Sequence, residues 1–364
     1  MVKMGLIGCG IMGKGHAQSI SDGKVPGAEL TAVCDTNPDA LEWAREKFPG
    51  IKTFESSADF FAGSAADAVI IATPHYSHPV IALEALENNM HVMVEKPAGV
   101  YTKAVREMNV AAAKKPDVVF AIMYNQRTNP LYRKMREMVH AGEIGALKRT
   151  SWLITDWYRS QAYYNSGGWR ATWAGEGGGV LINQCPHNLD LWQWICGMPA
   201  RVTAFAHEGK WHNIEVEDDI TAYVEYENGA TGVFVTSTAD FPGNNRFEVL
   251  GDAGKLVCEN GELIFHKLGV SEREFNRTNT ELFAAPPVER IEVPCPGDYP
   301  EHPGVLAAFV AKIRGEGELY ARGEEGINGL TISNAIYLSS WLKKTIELPL
   351  DEDLFLSELK ARYK

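Results

Sequence analysis

The feature that most constrains this chain lies at its start. Met4 to Ile7 is apolar and strand-like, Gly8-Cys9-Gly10-Ile11-Met12-Gly13 follows with the spacing G-x-G-x-x-G, and a helix-like pattern runs on from there. Each glycine answers a steric need: Gly8 allows a tight turn, Gly10 lets a pyrophosphate approach the backbone, and Gly13 lets the helix pack against the strand. The first helical turn, which holds Ile11 and Met12, offers free N–H groups and the positive end of the helix dipole to phosphates. Residues 28–35, AELTAVCD, form a second apolar strand that ends on Asp35, 22 residues after Gly13. A carboxylate there accepts hydrogen bonds from both ribose hydroxyls and repels a 2′-phosphate, so NAD is expected in preference to NADP.

The alternation of strand and helix continues. DAVIIATP (67–74), HVMVE (91–95) and VVFAIMYN (118–125) read as buried parallel strands, with amphipathic helices between them. A doubly wound sheet of this kind holds its ligand beyond the carboxyl ends of its strands. Thr73-Pro74-His75, Glu95-Lys96-Pro97 and Tyr124-Asn125 lie at such ends. Thr73, Pro74, His75, His78, Glu95, Lys96 and Asn125 are therefore expected to border the cofactor, with Lys96 pointing into the crevice. The spacing of His75 and His78 suits a metal, but no further ligand cluster accompanies it, and no metal is expected.

A chain of 364 residues exceeds one ordinary core, so two domains are expected. The first is placed at 1–125 and the second at 126–364. In the second, segments such as DITAYVEYENGATGVFVTSTAD alternate polar and apolar residues. Asn228-Gly229 and Asn260-Gly261 mark hairpin turns. The fold class is α/β: an N-terminal doubly wound parallel domain, then an α+β domain with a large, open, mostly antiparallel sheet. Six of nine tryptophans fall between Trp152 and Trp194. Flat aromatic faces suit the C–H faces of sugars, but they also suit core packing or a subunit interface.

A second chemical segment is GEGGGVLINQCPHNLDLWQWICGMP, 175–199. Gly177-Gly178-Gly179 lets the chain approach another group closely. Asn183 and His187 are four apart and share a face if the helix has already begun, although Pro186 fits a first turn better than a helix interior. His187 is a candidate general base, with an ordinary pKa near neutrality.

Net charge is −12 with no lysine/arginine-rich run, which argues against nucleic-acid or anionic-membrane partners. No apolar run reaches the length of a membrane span, and the N-terminus lacks the features of a signal peptide. The six cysteines form no C-x-x-C pair and are expected to be free thiols in a reducing cytoplasm.

The glycine motif at 8–13, the strand ending in Glu95-Lys96-Pro97, TPHYSHPVIALEAL, the Gly-Gly-Gly run before His187 and GEEGINGLTISNAIYLSSWLKK near the end together resemble the Gfo/Idh/MocA oxidoreductases. The resemblance implies a Rossmann domain followed by an open-sheet domain that mediates oligomerisation, here as a homodimer or homotetramer. It implies that Lys96 sits near a reacting carbinol and that the peptide before Pro97 is cis. It also implies that Trp169-Arg170 is a Trp-Arg pair approaching the cofactor. Many family members carry an aspartate four residues before the histidine. Asn183 stands there in this chain, and an amide orients a hydroxyl but takes no proton.

The expected chemistry is NAD-dependent, reversible oxidation of a secondary hydroxyl on a sugar, sugar derivative or cyclitol. His187 would act as base, Lys96 as the cation that stabilises the alkoxide, and Asn183 as the orienting group. Asn125, Arg127, Tyr158, Tyr163 and His302 are expected substrate contacts. Two rival readings are a glycoside hydrolase that uses NAD without net redox and a non-catalytic regulator that responds to NAD or sugar.

Overall fold

The structure, a computed structural model, describes residues 1–63 and 65–364. In chain order the first elements are β1 (Val2–Ile7), α1 (Ile11–Ser21), β2 (Ala28–Cys34), α2 (Pro38–Lys47), β3 (Lys52–Phe54), α3 (Ser57–Ala62), β4 (Ala68–Ile71), α4 (Ser77–Glu87), β5 (His91–Val94), α5 (Thr102–Ala113) and β6 (Phe120–Ile122). There follow α6 (Pro130–His140), β7 (Leu147–Ile154), α7 (Gln161–Tyr164), α8 (Val180–Asn183), α9 (Pro186–Cys196), β8 (Arg201–Glu208), β9 (Glu217–Glu225), β10 (Thr231–Ser237) and β11 (Asn245–Gly251). The chain ends through β12 (Gly254–Glu259), β13 (Glu262–Leu268), α10 (Glu272–Thr278), β14 (Val288–Glu292), α11 (Glu301–Ile313), α12 (Gly326–Leu342), β15 (Ile346–Glu347) and α13 (Glu352–Lys360).

The chain divides into two compact units. The first comprises 1–128, 175–177 and 299–330, and the second 129–174, 178–298 and 331–364. This corrects the single cut expected after residue 125. The reason is burial. Val305, Leu306, Phe309 and Val310 of α11 lie in one apolar cluster with Met4, Leu6, Ile70 and Met93 of the first sheet. A helix from late in the chain therefore completes the first core.

In that unit six strands run in the order β3-β2-β1-β4-β5-β6, and every pair is parallel. Covered on both faces, β4 is buried at all four positions, as its unbroken apolar sequence implies. The order reverses between β1 and β4, so the crevice of a doubly wound sheet opens where the glycine turn and Thr73-Pro74 follow those strands.

The second unit is built on nine strands in the order β14-β13-β12-β11-β7-β10-β9-β8-β15. Its pairs are antiparallel apart from β10 with β7. Both expected hairpins form. Gly229 joins β9 to β10, and Asn260-Gly261, with φ of 52° and 79°, joins β12 to β13. The tryptophans divide between roles. Trp152 stacks on Phe247 with centroids 4.2 Å apart, Trp192 stacks on Phe234, and Trp173 is buried, so these three belong to the core. Trp169 is exposed. Among the described residues, no helix is long and apolar enough to cross a membrane.

Candidate functional site

In the first unit the glycine turn takes the form its sequence requires. Gly8 has φ of +94°, and a Cβ on Gly13 would lie 1.9 Å from the Gly8 carbonyl oxygen. A Cβ on Gly10 would meet nothing within 4 Å, so the backbone is open there. No side chain caps α1, and Ile11 in its first turn is 89% exposed. Asp35 stands at the end of β2. One of its oxygens accepts a hydrogen bond from the Cys9 amide at 2.6 Å, the other from the Asn37 amide at 2.8 Å. The carboxylate thus fixes the glycine turn and keeps acceptor capacity for ribose hydroxyls. Thr73 Oγ1 and Asn125 Oδ1 are buried with no hydrogen-bond partner among the described residues. An open phosphate cradle, an acid at its ribose side and buried polar atoms awaiting partners fit a dinucleotide.

The end of β5 carries the opposite charges. Glu95 is buried; its Oε1 lies 2.7 Å from His16 Nε2, and its Oε2 accepts the backbone amide of Lys96 at 3.0 Å. Burial alone would raise the Glu95 carboxyl. The hydrogen bond and charge of His16, helped by Lys96 and His302, outweigh it and hold the pKa at about 2. His302, on α11, has its ring centroid 5.8 Å from that of His16, and the Asn125 amide nitrogen lies 3.4 Å from His302 Nδ1. Burial pulls the His302 pKa down. Lys96, Glu95, Asn125 and His302 are therefore placed along one chain of contacts that runs through His16. The sequence reading missed His16. Its signal was a histidine three residues after Gly13, on the face of α1 that also buries Ala17 and Ile20.

The Glu95 side chain serves as the internal anchor of Lys96, and two expectations for this unit change. His78 is fully buried, with its ring nitrogens 2.7 Å from the carbonyl oxygens of Pro97 and Thr73. Burial lowers its pKa, so the neutral ring donates to one of these two carbonyls, and its full burial sets it among the residues that frame the crevice. Arg127 is also buried, and its guanidinium donates to Glu325 at 2.6 Å and to the Tyr320 carbonyl at 3.3 Å. It is a structural group, not the substrate contact expected. His75 lies in the turn before α4, with Nδ1 3.0 Å from the Glu176 carbonyl oxygen. The Lys96–Pro97 peptide is cis.

In the second unit Asn183 ends α8, and Pro186 takes the first position of α9. The two residues four apart therefore do not share one continuous helix, because the proline starts a new one. Even so, from 178 to 193 Asn183 and His187 are the two positions that are not buried. The fold shields every other side chain of that stretch and leaves the amide and the imidazole part-exposed, with His187 Nδ1 buried. The glycine run has an internal cause. A Cβ on Gly178 would lie 2.2 Å from the Tyr337 hydroxyl, and one on Gly179 would lie 2.0 Å from the Glu217 carbonyl oxygen. The group approached closely is the protein itself.

Tyr163 is a hub: its hydroxyl accepts from Arg170 at 2.7 Å and from the Gln184 amide at 3.1 Å. The Arg170 guanidinium lies 4.5 Å from the Tyr163 ring centroid and 4.7 Å from that of Trp169. Tyr158 is exposed and packs beside Phe241. Gln184 escaped the sequence reading; its Oε1 is buried without a partner among the described residues. No group of three or more His, Cys, Asp or Glu among the described residues is placed to hold a metal ion.

In comparison with known proteins, two family models match, one before residue 124 and one after residue 131. Residues 2–123 match the model of an oxidoreductase family with an NAD-binding Rossmann fold, and residues 132–257 match the GFO/IDH/MocA C-terminal domain. A scyllo-inositol 2-dehydrogenase (NAD(+)) of Bacillus subtilis is 27% identical over 264 residues, covering 70% of this chain and 73% of that protein. A 1,5-anhydro-D-fructose reductase of Ensifer adhaerens is 25% identical, covering 92% and 95%. Among solved structures, the WlbA dehydrogenase from Bordetella pertussis, in complex with NADH and UDP-GlcNAcA, is 28% identical with a TM-score of 0.79. That likeness covers 96% of this chain and 99% of the other.

Proposed function

Since the chain belongs to the GFO/IDH/MocA family of NAD-binding oxidoreductases, we propose that it oxidises a secondary hydroxyl of a sugar, sugar derivative or cyclitol. The observation that carries this reading is Lys96. It stands at the end of β5, in the same unit as the glycine turn, with its own amide held by Glu95. An ammonium on a fixed strand end suits an oxygen that gains negative charge as its hydrogen leaves. The relatives' names supply the substrate class: an inositol and a sugar ketone among curated proteins, a nucleotide-linked sugar acid among solved structures.

The glycine turn at 8–13 and Asp35 would hold NAD, which would supply the acceptor for the hydride of the carbinol carbon. The chain manages orientation and the proton. His187, part-exposed in an otherwise buried stretch, removes the hydroxyl proton. Asn183, lacking basicity, orients the hydroxyl. Lys96 stabilises the alkoxide. Asn125 and His302, which adjoin each other, and Tyr163, which accepts a hydrogen bond from Arg170, contact the remaining hydroxyls. Tyr158 lies further out as an exposed contact. Asp35 selects NAD by taking the ribose hydroxyls.

A homodimer or homotetramer in the cytoplasm completes the reading. Phe205 and Tyr223, on the neighbouring strands β8 and β9, are exposed on the sheet and supply apolar contact area. The free thiols, including buried Cys9, Cys34 and Cys258, suit a reducing compartment.

The test is NADH formation, followed by absorbance, across inositols, uronates, amino sugars, glycosides and nucleotide-linked sugars. A substrate turned over with NAD in preference to NADP supports the reading. Silence across the panel, with NAD binding measured by calorimetry, would overturn it in favour of redox-neutral glycoside cleavage or a regulator.

A further inference from the structure

Glu217 is a buried carboxylate to which the proposed chemistry gives no task. It stands at the first position of β9, 0% exposed. Its Oε2 accepts the Gly179 amide at 2.8 Å, and its Oε1 accepts the Leu181 amide at 3.0 Å and the Tyr337 hydroxyl at 2.8 Å. Gly179 caps the four-residue helix α8, Leu181 is its second residue and Asn183 its last. So short a helix has almost no internal hydrogen-bond ladder, and its first amides need an external acceptor. Glu217 is that acceptor for two of them.

The other side of the anchor is equally fixed. The Tyr337 ring stacks on Trp341 with centroids 5.5 Å apart and meets Trp173 edge-on at 5.3 Å. Its hydroxyl occupies the space that a side chain on Gly178 would need. Gly178 has φ of +152°, and Gly179 lies against the Glu217 backbone. Strand, helix and glycine run thus converge on one carboxylate. From this geometry we infer that Glu217, held by Tyr337, is the positioning residue for Asn183: it sets where α8 begins and hence where the amide at its end is presented. The inference rests on the proposed role of Asn183 in orienting the reacting hydroxyl. A displacement of about 1 Å in such a group costs on the order of a hundredfold in rate.

The experiment compares Glu217→Gln, Tyr337→Phe and Asn183→Ala with the parent protein at pH 8. Glutamine keeps the shape of the carboxylate but turns an N–H toward one of the backbone amides. Phenylalanine keeps the ring stack and removes one hydrogen bond. With the best substrate of the inositol, uronate and amino-sugar panel, kcat of Glu217→Gln should fall about tenfold or more, with KM for NAD within about twofold. Tyr337→Phe should lose about threefold in kcat, the share of a single hydrogen bond. Adding Glu217→Gln to Asn183→Ala should cost little further rate, because both act on the same contact.

Hydrogen exchange of the 178–184 amides in NAD-loaded protein needs no substrate. It should quicken in both anchor variants while exchange at 8–13 stays unchanged. An impaired Asn183→Ala beside a Glu217→Gln of normal kcat and normal 178–184 exchange would overturn the anchor alone. Normal turnover by Asn183→Ala would overturn both the role of Asn183 and the anchor's effect on it. If Glu217→Gln does not fold, Tyr337→Phe decides, and unchanged kcat and exchange there overturn the inference.

Discussion

Glu95 Oε1 lies 2.7 Å from His16 Nε2, which ties the end of β5 to the helix that carries the glycine turn. The carboxylate also receives the Lys96 amide, so one buried side chain relates the dinucleotide cradle to the lysine beside it. Its pKa of about 2 makes this a stability statement. A carboxyl lowered on folding contributes stability above its unfolded value, about 4.3, and loses it as pH falls through the folded value. The loss should amount to about 3 kcal/mol between roughly pH 4 and pH 2. Glu95→Gln should flatten that acid limb in urea-unfolding curves taken across the range. An unchanged slope would mean that the pair does not carry the acid sensitivity.

Lys96→Met should leave the fold and NAD affinity close to the parent, since Lys96 is held by its backbone amide and not by its ammonium alone. Turnover should fall by about two to three orders of magnitude, the usual loss when a charge that stabilises a developing oxyanion is removed. Steady-state rates and calorimetric NAD binding measure the two quantities separately. Near-normal turnover would remove Lys96 from the chemistry.

What could be read from the sequence was whatever depends on local pattern. Strand–glycine–helix order, Asp35 at a strand end and Asn260-Gly261 at a hairpin each follow from spacing and backbone permissiveness, and each is found in its expected element. Less legible was anything set by distant residues. Val305 to Val310 join the first core from late in the chain, and no periodicity says which core an apolar helix will fill. Glu217 and Tyr337 explain Gly178 and Gly179, but the contacts span 120 residues in the case of the Glu217–Tyr337 bond. Asn183 and His187 were the right spacing for one helix, yet Pro186 divides it. Their shared partial exposure comes from burial of everything around them, which spacing does not encode.

Arg127→Met tests a residue whose role the structure reassigns. The guanidinium is 2% exposed and bonds Glu325 and the Tyr320 carbonyl. Removing one member of a buried pair leaves the other uncompensated. Because Glu325 retains some solvent, the expected cost is about 2 kcal/mol, below that of a fully buried pair. Substrate KM of the folded fraction should stay within about twofold. A large rise in KM with unchanged stability would restore Arg127 as a substrate contact.

Glu217 should behave oppositely to Glu95. Burial pushes its carboxyl up to about 7, against the pull of the Leu181 amide, the Tyr337 hydroxyl and the Gly179 amide. The folded protein then binds an extra proton between about pH 4.3 and pH 7, so this group's contribution falls as pH rises through that window and levels off above it. The expected decline is about 3 kcal/mol. Glu217→Gln, which cannot ionise, should lack the decline and should exceed the parent in stability at pH 8 even as it slows turnover. A buried charge kept for position rather than stability has this signature: its neutral replacement folds more firmly and works less well. Denaturant midpoints for both proteins from pH 5 to pH 8 provide the check. If the two curves stay parallel, the carboxylate does not titrate in that window; if the variant loses stability and turnover together at pH 8, Glu217 is a structural brace and nothing more.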